Sequence, residues 1–154
     1  MDQTFIILKP STIARCLVGD VLTRFQRKGL LIAGIKMMCL DEAILREHYA
    51  RRVDRPFFPS LLHSMTATPV IVAVLRGKNA VEVVRAMTGA TNCRNAAPGT
   101  IRGDFGMSGQ ENIIHASDSP ENAEIEINRF FRPEEIFDYT LAGIGSIYAP
   151  DELD

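Results

Sequence analysis

The sequence predicts an α+β fold in which an antiparallel sheet of about four strands carries helices packed on one face. Four short segments rich in β-branched, aliphatic and aromatic residues alternate with segments whose apolar residues recur at helical spacing. This order along the chain suits the split βαβ, or ferredoxin-like, arrangement. The length of 154 residues is typical of one domain, which we expect to span residues 1–154.

Glycines, prolines and helix-capping residues mark the limits of the predicted elements. The strands are predicted at Thr4–Lys9, Leu31–Leu40, Val70–Leu75 and Asn112–His115. The helices are expected to begin at Ser11 or Thr12, Asp41, Asn79 and Ser119-Pro120, with a further short segment at Phe57–Ser64. They are expected to end at Gly29, Arg55-Pro56, Gly89 and about Phe131.

Composition and charge argue against several classes of function. Hydrophobic residues make up 46% of the chain and charged residues 23%, which is the balance of a globular protein. The net charge is -2 and no run of Lys or Arg forms a basic stripe, so nucleic acid is not expected as the main partner. No apolar stretch approaches the roughly 20 residues that are needed to cross a bilayer. The first residues also lack the basic region followed by an apolar region that is typical of a secretory signal. We expect a cytoplasmic protein without membrane association.

A long irregular segment from Thr91 to Glu111 separates the helix that ends at Gly89 from the last strand. Prolines and glycines interrupt this segment, and its apolar residues show little periodicity. Loops of this length within a compact domain are usually functional or lie at an interface. We therefore expect the chemistry in this loop and in the strand that follows it.

His115, at the end of the last strand, is the candidate nucleophile. Imidazole has an ordinary pKa near 6.5, so at neutral pH it offers a lone pair and can form a covalent intermediate. Glu126, on the following helix, is expected to orient the ring through a carboxylate hydrogen bond, with Ser117 bridging the two. The alternatives are a half-buried structural histidine and an exposed helix carboxylate.

Two arginines and a threonine are candidates for binding phosphate. Arg85 and Arg102 offer planar forks of donors that match phosphate oxygens, and Thr91 adds a hydroxyl group. The alternative is that both arginines are solvated surface charges.

Five segments, in order and at matching spacing, resemble nucleoside diphosphate kinase over nearly the whole chain. They are Ile7-Leu8-Lys9-Pro10, His48-Tyr49, Arg55-Pro56-Phe57-Phe58, Pro98-Gly99-Thr100-Ile101-Arg102-Gly103-Asp104-Phe105 and Asn112-Ile113-Ile114-His115-Ala116-Ser117-Asp118-Ser119. The last two segments together are highly specific. The resemblance implies a ping-pong transfer of the γ-phosphate of a nucleoside triphosphate, usually ATP, to a nucleoside diphosphate. His115 would carry the phosphoryl group, and Ser117 and Glu126 would fix its ring.

The same resemblance implies how the nucleotide phosphates would be bound. Arg85, Thr91 and Arg102 would hold the phosphates, while Lys9 and Asn112 would reach the ribose hydroxyls and inner phosphates. Mg²⁺ would enter on the nucleotide, with Asp118 contacting it through water, because the ion keeps several waters and takes few protein ligands. The chain contains no P-loop motif, and the family does not use one.

The base site is implied by a second group of residues. Phe57 would be the aromatic platform for the base with Leu61 behind it, and Tyr49 would lie beside Lys9. At Gly109, relatives often place a Val opposite this platform. The base would then be gripped on one face only.

The resemblance also implies a homo-oligomer built from dimers. The loop Thr91–Gly109 and the tail Ile147-Tyr148-Ala149-Pro150 favour a hexamer over a tetramer. The competing hypothesis is a catalytically silent ferredoxin-like module that binds nucleotides or a protein partner. Its signs would be Gly109 and the pair Ser11-Thr12, where the family usually has Asp-Gly. The retained set of candidate residues opposes that hypothesis, and the acidic balance opposes a nucleic-acid-binding domain.

Overall fold

The computed structural model, which describes residues 1–153, contains a four-stranded antiparallel sheet. The strands are β1 (Asp2–Leu8), β2 (Leu31–Met38), β3 (Val70–Gly77) and β4 (Ile114–Ala116). Their order across the sheet is β2-β3-β1-β4, and every neighbouring pair is antiparallel. This topology confirms the predicted ferredoxin-like fold class.

Seven α-helices lie between and after these strands in the described part of the chain. They are α1 (Pro10–Ala14), α2 (Val18–Lys28), α3 (Glu42–His48), α4 (Phe58–Thr66), α5 (Ala80–Thr88), α6 (Ile101–Phe105) and α7 (Pro120–Phe130). Because α6 lies within the segment from Thr91 to Glu111, that segment is less irregular than its sequence suggests. The last strand begins at Ile114 instead of Asn112.

Helices cover both faces of the sheet, so the expectation that they pack on one face was wrong. Phe5 and Ile7 of β1 belong to a core shared with α3, α4 and α7. Ile6 and Leu8 belong to a second core shared with α2 and α5. A strand buried on both faces is apolar at consecutive positions, which explains the continuous run from Phe5 to Leu8.

The helix predicted between Ser11 and Gly29 is two helices, α1 and α2, separated by a turn. Cys16 in this turn has a φ of 56°, a left-handed conformation that ends α1 before α2 begins. Gly29 ends α2 with a φ of 103°, as its position predicted.

The predicted helix caps are present at two positions and absent at two others. Asp41 and Ser119 accept backbone hydrogen bonds at the starts of α3 and α7, as expected. Asn79 makes no such bond, because its backbone is left-handed and its N–H donates to Asp2. At α1 the cap position is Lys9, so neither Ser11 nor Thr12 caps this helix.

The sheet places the end of β1, a central strand, beside β4, an edge strand. Ile7 of β1 is the register partner of His115 on β4. Lys9 follows the end of β1, and its backbone N–H donates to the Ile113 carbonyl at 2.9 Å. Lys9 and the residues around His115 therefore meet at one edge of the sheet. No helix within residues 1–153 has the length and apolar character that crossing a membrane requires.

Replacing Cys16 with Gly tests the left-handed turn between α1 and α2. A side chain in this conformation costs roughly 1–2 kcal/mol, whereas Gly adopts it freely. Cys16→Gly should therefore be about 1 kcal/mol more stable than Cys39→Gly, a control at another exposed cysteine without a positive φ. Chemical denaturation of both variants measures the difference, and equal losses of stability would show that the Cys16 conformation carries no strain.

Candidate active site

His115 faces Glu126 across the gap between β4 and α7. Its Nε2 contacts the Glu126 carboxylate directly, without a bridging group. When Glu126 is ionised its carboxylate only accepts, so in that form Nε2 carries the ring hydrogen and Nδ1 keeps the lone pair. Ser117, which was expected to bridge the two, instead donates its hydroxyl to the Phe5 carbonyl at 3.3 Å. The ring and the carboxylate are in direct contact, and a hydrogen bond from Ser117 lowers the pKa of the same carboxylate, so Ser117 supports Glu126 and does not stand between the two groups.

A tight turn directly before β4 positions the backbone of the site. Ile113 has a φ of 74°, and the Ile114 N–H donates to the Asn112 carbonyl at 2.8 Å, which closes a three-residue γ-turn. The Ile113 side chain is fully buried, which holds this strained residue in place. Its carbonyl accepts from both the Lys9 N–H and the Thr12 hydroxyl. The turn thus ties the start of α1 to the strand that carries His115.

Lys9 and Asn112 form a buried polar pair beside this turn. The Lys9 ammonium donates to Asn112 Oδ1 at 2.6 Å. The Asn112 amide nitrogen donates to the carbonyls of Thr91 at 2.9 Å and Gly109 at 3.1 Å. Both ends of the loop are therefore anchored to the residue that holds Lys9. Thr91 enters this network through its carbonyl, and its side chain is exposed.

Arg102 is the best-anchored cation of the candidate set. Its guanidinium donates to the carbonyls of Asn112 at 3.1 Å, Gly89 at 3.1 Å and Ile114 at 2.6 Å. Arg85 is exposed and lines a small cavity together with Arg102. The two arginines therefore line one cavity, in which Arg102 is held by the backbone and Arg85 is an exposed charge beside it.

His115 opens into a cavity of about 370 Å³ between α3 and α7. The cavity wall includes Tyr49, Asp118 and Glu126, together with Arg52, which the sequence did not single out. Two larger cavities lie around Met1 and Gln3, and their walls do not include His115. The chemistry of the walls, not their size, marks the smaller cavity as the candidate site.

Of the residues expected at the base site, Tyr49 lines this cavity, whereas Phe57 and Leu61 lie beside and on α4, outside its wall. Phe57, just before the helix, has 45% of its surface exposed, which leaves a ring face available to a ligand. Leu61 is buried one turn further along. Gly109 is near α4, since its neighbour Gln110 donates to the Ser60 hydroxyl at 3.0 Å.

Burial and nearby charges set the protonation of the site. Burial lowers the pKa of His115 well below its ordinary value, and the charges of Lys9 and Arg102 lower it further. Burial also lowers the pKa of Lys9 to about 8, with Arg102 contributing. Burial raises the pKa of Glu126 to about 7 against the opposing effects of His48 and Arg129. His115 is therefore a neutral imidazole at physiological pH, with a lone pair available for attack.

The His48, His115 and Glu126 side chains approach closely enough to suggest a metal site. Arg129 donates to His48 Nδ1, however, so the hydrogen of that neutral ring is on Nε2 and His48 has no free lone pair. Mg²⁺ also prefers oxygen ligands. The Asp118 carboxylate suits it better, because it is exposed beside His115 and its pKa is lowered by a hydrogen bond from Asn122.

Comparisons with known proteins agree with this geometry. A family model described as nucleoside diphosphate kinase matches residues 2–136. The chain belongs to the nucleoside diphosphate kinase family. A relative of that name from Parabacteroides distasonis is 56% identical over 153 residues, which cover 99% of this chain and 100% of the relative. One from Pyrococcus horikoshii is 50% identical over 144 residues, covering 92% of each.

Solved structures give the same result. A nucleoside diphosphate kinase from Halobacterium salinarum in complex with CDP aligns with a TM-score of 0.92 and 41% identity. The alignment covers 96% of this chain and 98% of that chain.

This member of the family departs from the usual pattern after Lys9-Pro10, and the structure shows what its Ser11-Thr12 pair does. Thr12 is fully buried, and its hydroxyl donates to the Ile113 carbonyl. Thr12 therefore ties the start of α1, which follows Lys9, to the turn before β4, and the Ser11 hydroxyl takes no part in this contact. At Gly109, the second departure, an added Cβ would meet only ordinary contact with Asn92.

Glu126→Gln should raise stability at pH 8 and change it little at pH 4.5. Folding raises the pKa of Glu126 to about 7, so the folded protein binds a proton on this carboxyl group more tightly than the unfolded chain does. The stability that this proton provides is present below pH 4.5 and is lost as the pH rises towards 7. Gln avoids this loss, and the gain at pH 8 should be roughly 1–3 kcal/mol. Denaturant unfolding at both pH values measures it, with exposed Glu124→Gln on the same helix as the control. A loss of stability at pH 8 would show that the ionised pair with His115 stabilises the fold.

Proposed function

We propose that this protein transfers the γ-phosphate of a nucleoside triphosphate, usually ATP, to a nucleoside diphosphate in two steps through a phosphohistidine on His115. The observation that carries the proposal is the contact between His115 Nε2 and Glu126, which leaves Nδ1 free beside a cluster of cations. A structural histidine would not need a neutral, oriented ring at a cavity wall. The family assignment supports the same reaction.

In the first step, the lone pair of His115 Nδ1 attacks the γ-phosphorus. The bond between that phosphorus and the bridging oxygen breaks, and the nucleoside diphosphate leaves with the electron pair. In the second step, a terminal oxygen of another nucleoside diphosphate attacks, the P–N bond breaks, and the imidazole lone pair is restored. Phosphoryl transfer requires mainly in-line positioning and charge stabilisation. Glu126 contributes by fixing which nitrogen faces the substrate.

We assign the phosphates to the cations around the γ-turn. Arg102 is held by three carbonyls, so its charge is fixed beside the reacting group before substrate binds. Arg85 and the Thr91 hydroxyl would add donors at the entrance, and Lys9 and Asn112 would reach the ribose and inner phosphates. Bound Mg²⁺ would neutralise phosphate charge, with Asp118 contacting it through water.

We assign the base to the exposed face of Phe57, with Leu61 behind it and Tyr49 on the cavity side. Stacking on an aromatic ring is worth roughly 1–3 kcal/mol and is available to any base. The enzyme should therefore accept all common nucleoside diphosphates.

Label transfer tests the proposed reaction. The protein is incubated with γ-labelled ATP and Mg²⁺ and then with unlabelled GDP, and label should reach the protein first and GTP second. His115→Ala should lower exchange by at least roughly 10³-fold, because no other nucleophile can replace the imidazole. The control is His63→Ala, an exposed histidine on α4. Nucleotide binding without any label on the parent protein would instead support a catalytically silent module.

The affinity for ADP should fall above about pH 8, because Lys9 loses its proton there and with it the charge that attracts phosphate. The ADP phosphates are already ionised in this range and add no change. Lys9→Met should bind ADP more weakly at pH 7 and show no dependence between about pH 7.5 and 9.5. Equilibrium titrations across this range measure both. A parent protein with constant affinity up to about pH 10 would contradict the lowered pKa of Lys9.

We also propose that the protein is a hexamer of dihedral symmetry assembled from dimers. Ile35 and Met37 support assembly, because they expose 47% and 58% of their surface on β2, one of the two edge strands of the sheet. The tail supports it as well, since Ile147 packs against Gly29 and the Tyr148 hydroxyl accepts from the Lys78 N–H at 3.2 Å. An ordered tail and an apolar edge are both available to neighbouring subunits.

Light scattering coupled to size-exclusion chromatography should give a mass near six chains. Ile35→Lys should dissociate the assembly, because it places a charge on the exposed edge without disturbing the core. Glu42→Lys, an exposed change on α3, is the control. A mass near four chains would assign the protein to a tetrameric group, and a stable monomer would overturn the proposal.

A further inference from the structure

A second imidazole lies directly against the ring of His115. The ring centroids of His48 and His115 are 4.5 Å apart and their planes meet at 80°, an edge-to-face contact. His48 is the last residue of α3, and only 2% of its side chain is exposed. On its other sides it contacts Tyr49 and Phe130. His48 thus fills the space between α3 and the proposed nucleophile.

Arg129 fixes the orientation of the His48 ring. Its guanidinium donates to His48 Nδ1 at 3.0 Å and, through Nε, to the Glu47 carboxylate at 3.2 Å. A guanidinium has no acceptor atom, so His48 Nδ1 holds a lone pair and Nε2 carries the hydrogen. The chain of contacts runs from Glu47 through Arg129 to His48 and ends on the ring of His115.

Glu126 and His48 both lie against the ring of His115. His48 Nδ1 is 3.9 Å from the Glu126 oxygen that contacts His115. Burial and the neighbouring His115 keep the pKa of His48 far below its ordinary value, so His48 does not compete with His115 for this carboxylate as a cation. Because His48 is neutral, it can pack against His115 without forming an ion pair with Glu126, the partner of His115.

We propose that His48, held by Arg129, is a positioning residue that keeps the His115 ring turned so that Nδ1 faces the cavity. Glu126 holds one edge of the ring, and His48 prevents rotation about the bond to Cβ. This inference rests on the proposed phosphohistidine function. It predicts that His48 affects how fast His115 accepts a phosphoryl group and not how tightly nucleotide binds.

Two substitutions separate the ring from its polar atom. His48→Asn keeps an acceptor near the Nδ1 position for Arg129 and removes the ring, whereas His48→Phe keeps a ring and removes the acceptor. Single-turnover labelling with γ-labelled ATP and Mg²⁺ should show a phosphorylation rate at least about 30-fold lower in His48→Asn, with ADP affinity within about threefold of the parent. His48→Phe should have an intermediate rate, about tenfold below that of the parent, because it keeps a ring against His115 and loses the contact with Arg129 that orients the ring. The control is His63→Asn on the exposed side of α4, which should match the parent.

Nitrogen NMR adds a readout that a merely structural role would not change. The chain has three histidines, so each ring can be assigned. His115 should be a single tautomer with hydrogen on Nε2 in the parent and a mixture in His48→Asn. If His48→Asn does not fold, Arg129→Gln takes its place and should lower the phosphorylation rate about tenfold.

A folded His48→Asn or Arg129→Gln with the parent rate and a single His115 tautomer would overturn the proposal. A parent protein that takes no label at all would instead overturn the proposed function, so the two failures are distinguishable.

Discussion

The site depends on one strained turn. A left-handed conformation at a β-branched residue such as Ile113 costs on the order of 1–3 kcal/mol, and it persists only where the surroundings impose it. Here the buried Ile113 side chain and two hydrogen bonds to its carbonyl impose it. The γ-turn at Ile113 points the Asn112 carbonyl towards Arg102 and the Ile113 carbonyl towards Lys9. Cations from two separate segments are thereby fixed next to the strand that carries His115.

The charged groups of the site suit the proposed reaction, and their burial lowers the stability of the fold. Burial would favour a neutral carboxyl group at Glu126, yet the ionised form is the one that selects the Nε2–H tautomer of His115. Burial, together with the charges of Lys9 and Arg102, keeps the imidazole neutral, and in the proposed reaction the same two cations would attract phosphate. Burying each of these groups costs stability, and the phosphates of a bound nucleotide would supply compensating negative charge. Such opposed pKa shifts are typical of functional sites.

Local sequence signals predicted the sheet, the fold class and most helix limits, because they depend on neighbouring residues. Two features of the fold were not predicted from the sequence, and each has a physical reason. Cys16 and Ile113 adopt left-handed conformations without the glycine that normally marks them, and at Ile113 burial and hydrogen bonds to its carbonyl impose the geometry. Helices on both faces of the sheet were also missed, although the unbroken apolar run of β1 was the available signal.

The candidate site was predicted in its residues and only partly in its contacts. The motif around His115 named the residues that the structure brings together, but it could not show that Glu126 contacts the ring directly. The contact between His48 and Arg129 was missed because it joins residues 81 positions apart, although His48 stands in one of the segments that resemble the family. The available signal was the spacing of Glu126 and Arg129, which lie three residues apart on one helix and so share a face.

The position of the phosphate on the His115 ring tests the central claim most directly. The enzyme is labelled with ¹⁵N, phosphorylated with ATP and Mg²⁺, freed of nucleotide and examined by ³¹P and ¹⁵N NMR. The contact between Nε2 and Glu126 predicts a phosphorus bonded to Nδ1 and a hydrogen retained on Nε2. A phosphorus bonded to Nε2, or a phosphate on a carboxylate, would contradict the claim that Glu126 selects the reacting nitrogen.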